Sequence, residues 1–187
     1  MCSDLASKCK TCYSLGKYAP TAALSSCLTC PVSVYCTAST TFVCAAGTYS
    51  TGGLSACTNA PAGYQIANSG SSTQGTQCYV GSFSIGGIIV SCSLASLGYS
   101  VNLVGMSFQT ACISGTYSAS AGMSQCTSAS LGYYVGVSGQ STQSLCPGGS
   151  YSATSGLSVC NLAPIGSYSP TGTSGSPTIA SQVCASG

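Results

Sequence analysis

Four cysteines, Cys44, Cys78, Cys112 and Cys146, stand 34 residues apart, and each opens the same short phrase. The phrases read Cys44-Ala-Ala-Gly-Thr-Tyr-Ser, Cys78-Tyr-Val-Gly-Ser-Phe-Ser, Cys112-Ile-Ser-Gly-Thr-Tyr-Ser and Cys146-Pro-Gly-Gly-Ser-Tyr-Ser. A second cysteine closes each unit, at Cys57, Cys92, Cys126 and Cys160. A fixed period of this length describes an array in which each unit packs mainly on its sequence neighbours. Between these phrases lies a weaker copy: Ala60-Pro-Ala-Gly-Tyr64, Ala95-Ser-Leu-Gly-Tyr99, Ala129-Ser-Leu-Gly-Tyr133 and Ala163-Pro-Ile-Gly-Ser-Tyr168. Alanine takes the place of the opening cysteine, so the deeper period is about 17 residues. A cystine-bearing half alternates with a half that lacks one.

The residue types predict the local structure. Glycine followed by Thr/Ser, an aromatic and Ser, set among Gly/Ser-rich stretches, reads as short strands and turns. No stretch keeps an apolar 3.6-residue period with caps, so little helix is expected. With no Trp and three Phe, each unit can bury only a thin core, and short modules of that kind need covalent staples. The expected fold class is small, disulfide-rich and mostly β: an elongated tandem-repeat array. A Cys44–Cys57 bond would contribute about 3 kcal/mol in the chain-entropy model, as would Cys78–Cys92, Cys112–Cys126 and Cys146–Cys160. The aromatics Tyr49, Phe83, Tyr117 and Tyr151 keep the 34-residue spacing and are expected to fill the core between successive units rather than to bind a ligand.

Charge narrows the function. The ionic side chains are Asp4, Lys8, Lys10 and Lys17, so residues 18–187 carry none, and the chain has no histidine. General acid–base catalysis needs a group titrating near working pH, and neither a Ser-His-Asp nor a Cys-His constellation can be assembled. Carboxylate sites for calcium or magnesium are excluded in the array for the same reason, and no basic patch offers itself to nucleic acid. The expectation is a chain that is not an enzyme, holds no cofactor and binds no nucleic acid. Low net charge also removes the repulsion that keeps copies apart, which favours self-association.

Fifteen cysteines at regular spacing favour an extracellular, oxidising compartment. No signal peptide is visible at Met-Cys-Ser-Asp, as expected of a mature or partial chain. The most apolar window, Gly86 to Met106, is interrupted by glycines, serines and Asn102. A membrane span needs about 20 predominantly apolar residues, so the window reads as array. Asn59, Asn68, Asn102 and Asn161 all fail the N-glycosylation sequon. The Ser/Thr-rich loops, such as Ser69–Thr76 and Thr171–Thr178, suit O-linked glycans equally as well as simple solvation.

The motif C-x-x-G-T-Y-S…C-x-x-[CA] resembles the cysteine-rich repeats of ephrin-receptor-like and tumour-necrosis-factor-receptor-like modules. It is also similar to repeats in the cysteine-rich surface antigens of ciliates and other protists. The likeness covers most of residues 9–187 and implies an extracellular, disulfide-laddered, elongated architecture. Those families carry C-x-x-C-P-x-G, so Ala60, Ala95, Ala129 and Ala163 depart from the pattern and remove its second staple.

Residues 1–43 form a cysteine-dense amino-terminal repeat or cap, followed by units at 44–77, 78–111, 112–145 and 146–183 and a further unit opening at Cys184. Within the cap, Cys9-x-x-Cys12 and Cys27-x-x-Cys30 come close to zinc-ribbon spacing. The alternative is another repeat, since Cys12-Tyr-Ser-Leu-Gly16-Lys-Tyr18 up to Cys27 has the same build as later units. The repeat reading pairs Cys12 with Cys27, Cys30 with Cys36 and Cys2 with Cys9.

The functional expectation is a structural subunit of an extracellular filament, surface appendage or coat that forms a homopolymer. The alternative is a non-catalytic surface antigen or receptor-like binding module. Fifteen cysteines cannot all pair within one chain, and Cys184 is the unmatched opener, so either the natural chain continues and supplies its partner or Cys184 is expected to reach Cys2 or Cys9 of the next copy. A head-to-tail contact of this kind does not close on itself. Non-reducing electrophoresis should then show a ladder of multimers that collapses on reduction; a monomer band with one alkylatable thiol would leave only non-covalent assembly.

Overall fold

The structure, a computed structural model, describes residues 16–20, 27–37, 39–165, 167–170 and 182–183. Among them there is no helix, and the strands pair into ten two-stranded sheets. Most strands are two residues long, as in Thr116–Tyr117 against Thr127–Ser128; Val34–Thr37 against Thr40–Val43 is longer. This is the mostly β, disulfide-linked tandem array that the repeat predicts.

Among the described residues, six of the hairpins begin with the same turn. The Thr48 N–H donates to the Ala45 carbonyl at 3.0 Å, and Gly47 sits between them with φ 86°. Positive φ at that third turn position is the type II geometry that glycine supplies without steric cost. The turn recurs at Ser96–Tyr99 about Gly98 and at Ile113–Thr116 about Gly115. The hydroxyl after the glycine ties the turn a second time: Thr48 Oγ1 donates to Ala45 O, Thr116 Oγ1 to Ile113 O and Ser150 Oγ to Pro147 O, at 2.7–2.8 Å. The Gly-[Thr/Ser] pair of the motif is thus a turn with its own lock.

The chain divides into two compact units that interleave in sequence. One takes residues up to Tyr79 with Phe83–Ser93 and Val104–Phe108; the other takes Val80–Ser82, Leu94–Leu103 and residues from Gln109 onward. The same kinds of main-chain hydrogen bond recur in each. In the second unit, Cys112 N–H donates to Gly98 O, Gly98 N–H to Ser118 O, Val101 N–H to Met123 O, and Gly122 N–H to Ala95 O, all at 2.8–3.0 Å. In the first, Ala60 N–H donates to Gly47 O, Gly47 N–H to Ile66 O, Ile66 N–H to Ile89 O, and Gly87 N–H to Ala60 O. Within each unit, halves are therefore hydrogen-bonded to the halves that precede and follow them in sequence.

The core fills two recurring positions with small side chains. The opening residues Cys44, Ala60, Cys78, Ala95, Cys112, Ala129 and Cys146 are all buried. So are the residues that directly follow each outgoing strand, and these alternate in chemistry: Ser50, Ser84, Ser118 and Ser152 in the cystine halves, Ile66, Val101 and Val135 in the alanine halves. The motif aromatics Tyr49, Phe83, Tyr117 and Tyr151 stay half-buried beside this core. The stacked ring pair among the described residues is Tyr35 over Phe42, a cross-strand pair with centroids 5.3 Å apart.

Close approach makes the turn glycines irreplaceable to different degrees. A Cβ at Gly115 (φ 85°) would fall on the carbonyl of Gly156, whereas one at Gly149 (φ 78°) would meet nothing within 4 Å. Gly149→Ala should cost only the left-handed penalty of about 1–2 kcal/mol. Gly115→Ala should cost about 3 kcal/mol, since the Gly156 carbonyl must also move. Ser33 holds φ 71° where other halves carry glycine, so Ser33→Gly should stabilise by about 1 kcal/mol. Urea unfolding of the oxidised variants checks all three.

Candidate functional site

The cystines mark the first half of each repeat. Cys44 is bonded to Cys57, Cys78 to Cys92, Cys112 to Cys126 and Cys146 to Cys160, with Cα atoms 5.6–5.8 Å apart. In each, the opening cysteine is buried and the closing one partly exposed. Cys30 is bonded to Cys36 and Cys27 is also disulfide-bonded, so neither offers a thiolate to zinc. No group of three or more potential metal ligands occurs among the described residues. Cys2, Cys9, Cys12 and Cys184 lie outside the described residues, as does the Thr171–Thr178 stretch.

The alanine halves are stapled differently. Gln109 and Gln143 stand 14 residues after Ala95 and Ala129, the separation that Cys126 and Cys160 have from their openers. The Ser96 N–H donates to Gln109 Oε1 at 2.6 Å while Gln109 Nε2 donates to Ser96 Oγ at 3.2 Å. Ser130 and Gln143 repeat both bonds at 2.6 and 3.2 Å. One glutamine thus closes the loop on the residue beside the opener, where the next half uses sulfur. The half at Ala60 carries Pro61, which has no N–H to give; there a different glutamine, Gln77 on the return strand, donates from Nε2 to its cross-strand partner Tyr64 Oη at 3.2 Å. Cysteine spacing alone draws attention away from these glutamines, yet their shared separation of 14 was visible.

Large apolar side chains stand exposed in each unit, Ile85 and Ile88 in the first and Ile113, Val159 and Leu162 in the second, at 69–83% of their full area. Among the described residues, clefts open beside the hairpins. One of about 370 Å³ is lined by small polar residues of the loop from Gln65 to Thr76. Two others, each of about 230 Å³, share Tyr134 as a wall. The first of these is polar, with Gln140, Thr142 and Ser144; the second is apolar, with Pro147, Val159 and Leu162, and includes Cys160. No charged side chain lies on any of them.

Among the described residues no helix is long and apolar enough to cross a membrane. A scan against protein-family models finds no match, and a search of curated proteins likewise finds none.

Equivalence of the two staples predicts that they can be exchanged. The double substitution Ala95→Cys with Gln109→Cys should form a disulfide and stabilise the chain by about 3 kcal/mol. Gln109→Ala alone should cost about 1 kcal/mol. Thiol titration and urea unfolding provide the measurements; two free thiols in the double variant would show that the halves do not share geometry.

Proposed function

We infer that the chain is a structural subunit of an extracellular filament, surface appendage or coat, and that it polymerises with copies of itself. The observation that carries this reading is the surface: Ile85, Ile88, Ile113, Val159 and Leu162 stand exposed, while Lys17 is the sole ionic side chain among the described residues. Exposed apolar area drives association, and net charge that would oppose it is missing. The disulfides support an oxidising, extracellular setting. With no carboxylate or histidine after Asp4, the reading is non-catalytic. The likeness to receptor-type and protist surface-antigen repeats belongs to the same proposal, as a shared building principle. O-linked glycans belong to it too: Ser69, Ser72 and Thr73 are exposed in one loop and Thr76 is exposed at the start of the strand after it, and sugars there would supply hydration that charge does not.

Analytical ultracentrifugation with electron microscopy of the oxidised chain should reveal ordered polymers as concentration rises. Ile85→Lys with Ile88→Lys should shift the distribution toward monomer by restoring repulsion on an apolar patch. A chain that stays monomeric at every concentration, as isolated rods, would sink the subunit reading. For the glycans, intact mass spectrometry of native material should exceed the bare 18.3 kDa polypeptide.

A further inference from the structure

The repeat provides its own standard against which a functional residue stands out. In the alanine halves, the second outgoing-strand residue is Gln65, Ser100, Tyr134 or Tyr168, and in the cystine halves it is Tyr49, Phe83, Tyr117 or Tyr151. Gln65 and Ser100 serve the array: Gln65 Oε1 accepts from the Cys92 N–H at 2.7 Å, and the Ser100 hydroxyl, 3.4 Å from Cys126 Sγ, can donate to that cystine sulfur. Each thus anchors the closing cysteine of the following half. Tyr134 makes no such bond. With Tyr133 it gives this outgoing strand two rings, where the corresponding halves have one, and it lines both the polar cleft and the apolar one.

A second departure lines the same place. The residue whose carbonyl receives the N–H directly after the outgoing strand is Ser71, Ile89, Met106, Met123, Gln140 or Leu157 in successive halves. From Ile89 onward it is apolar except at Gln140. The Gln140 carbonyl keeps the array bond from Ser118 N–H at 3.1 Å. Gln140 is exposed and lines the polar cleft beside Thr142 and Ser144. Gly136, whose Cβ would sit 3.5 Å from Tyr134 Cε2, leaves the ring edge clear.

We propose that Tyr134 and Gln140 form a binding site for a neutral saccharide. A pyranose has an apolar C–H face and a rim of hydroxyls. The Tyr134 ring offers the flat apolar surface for the first, and Gln140, Thr142 and Ser144 offer donors and acceptors for the second. Acidic or phosphorylated ligands find no counter-charge here, because residues 18–187 carry no ionic side chain. The proposal stands independently of self-assembly.

The test uses the full oxidised chain, freed of its own glycans, in saturation-transfer NMR and calorimetry with neutral and acidic oligosaccharides. Neutral sugars should bind with an affinity unchanged between low and high salt. Tyr134→Ser installs the residue that the Ala95 half already carries at Ser100, so it fits the fold; it should weaken binding about tenfold. Tyr134→Phe should retain the affinity, and Gln140→Met, the residue at Met106 and Met123, should weaken it. For the source of the sugar, assembly of glycosylated chain blocked by free oligosaccharide assigns it to a neighbouring copy; unaffected assembly assigns it to an external polysaccharide. Absence of neutral-sugar binding, or binding indifferent to Tyr134→Ser, overturns the site. So does a Tyr134→Ser effect confined to sedimentation, which would make the clefts a contact between copies.

Discussion

Main-chain hydrogen bonding from one half to the next is the interaction on which everything else rests. A two-residue hairpin buries too little to stand alone, and none of these hairpins has to. Gly98 illustrates the arrangement: its carbonyl receives Cys112 N–H, its own N–H reaches Ser118, and its bare Cα admits the Gly139 carbonyl. A backbone so closely engaged leaves room for little at the centre. That is why the buried positions hold cysteine, alanine, serine and valine, and why rings such as Tyr117 stay at the margin.

A thin core makes the staples matter. Sulfur closes one half and a glutamine closes the next, so covalent and hydrogen-bonded closure alternate along the same geometry. The two differ in what they respond to. The Cys112–Cys126 bond limits the unfolded chain and yields to reductant, whereas the Ser96–Gln109 pair acts only in the folded state and is indifferent to redox conditions. Reduction would therefore loosen every second half and leave its neighbours' closures intact.

Charge depletion works on a different scale. Within the array no ion pair helps or hinders folding, because residues 18–187 have none to contribute. Its effect falls on encounters between molecules, where exposed side chains such as Ile85 and Leu162 meet no repulsion. The same neutrality shapes the clefts around Tyr134, which can discriminate by ring stacking and hydroxyl contacts but not by charge.

Much of the fold was legible in the chain. The 34-residue spacing, the glycine phrases and the paired cysteines identify a β-rich tandem array, because each feature is a local demand: positive φ at the turn, a loop length that a cystine can span. The aromatics were read as core filling, and the structure leaves them half-buried, since ring size alone does not reveal that the backbones approach too closely to admit rings. The glutamine closure was equally hidden, for its partner is the N–H and hydroxyl of Ser96, and hydrogen-bonding of that kind leaves no spacing signature as distinctive as cysteine. The doubled ring of Tyr133 and Tyr134 and the polar Gln140 were plain in the sequence as departures from the repeat. The sequence by itself determined the period, the staples and the absence of charge, all of which are properties of residue type and separation. Tertiary structure alone decided which departures share a cleft, because hydrogen bonds between halves bring residues of different loops and strands to one surface.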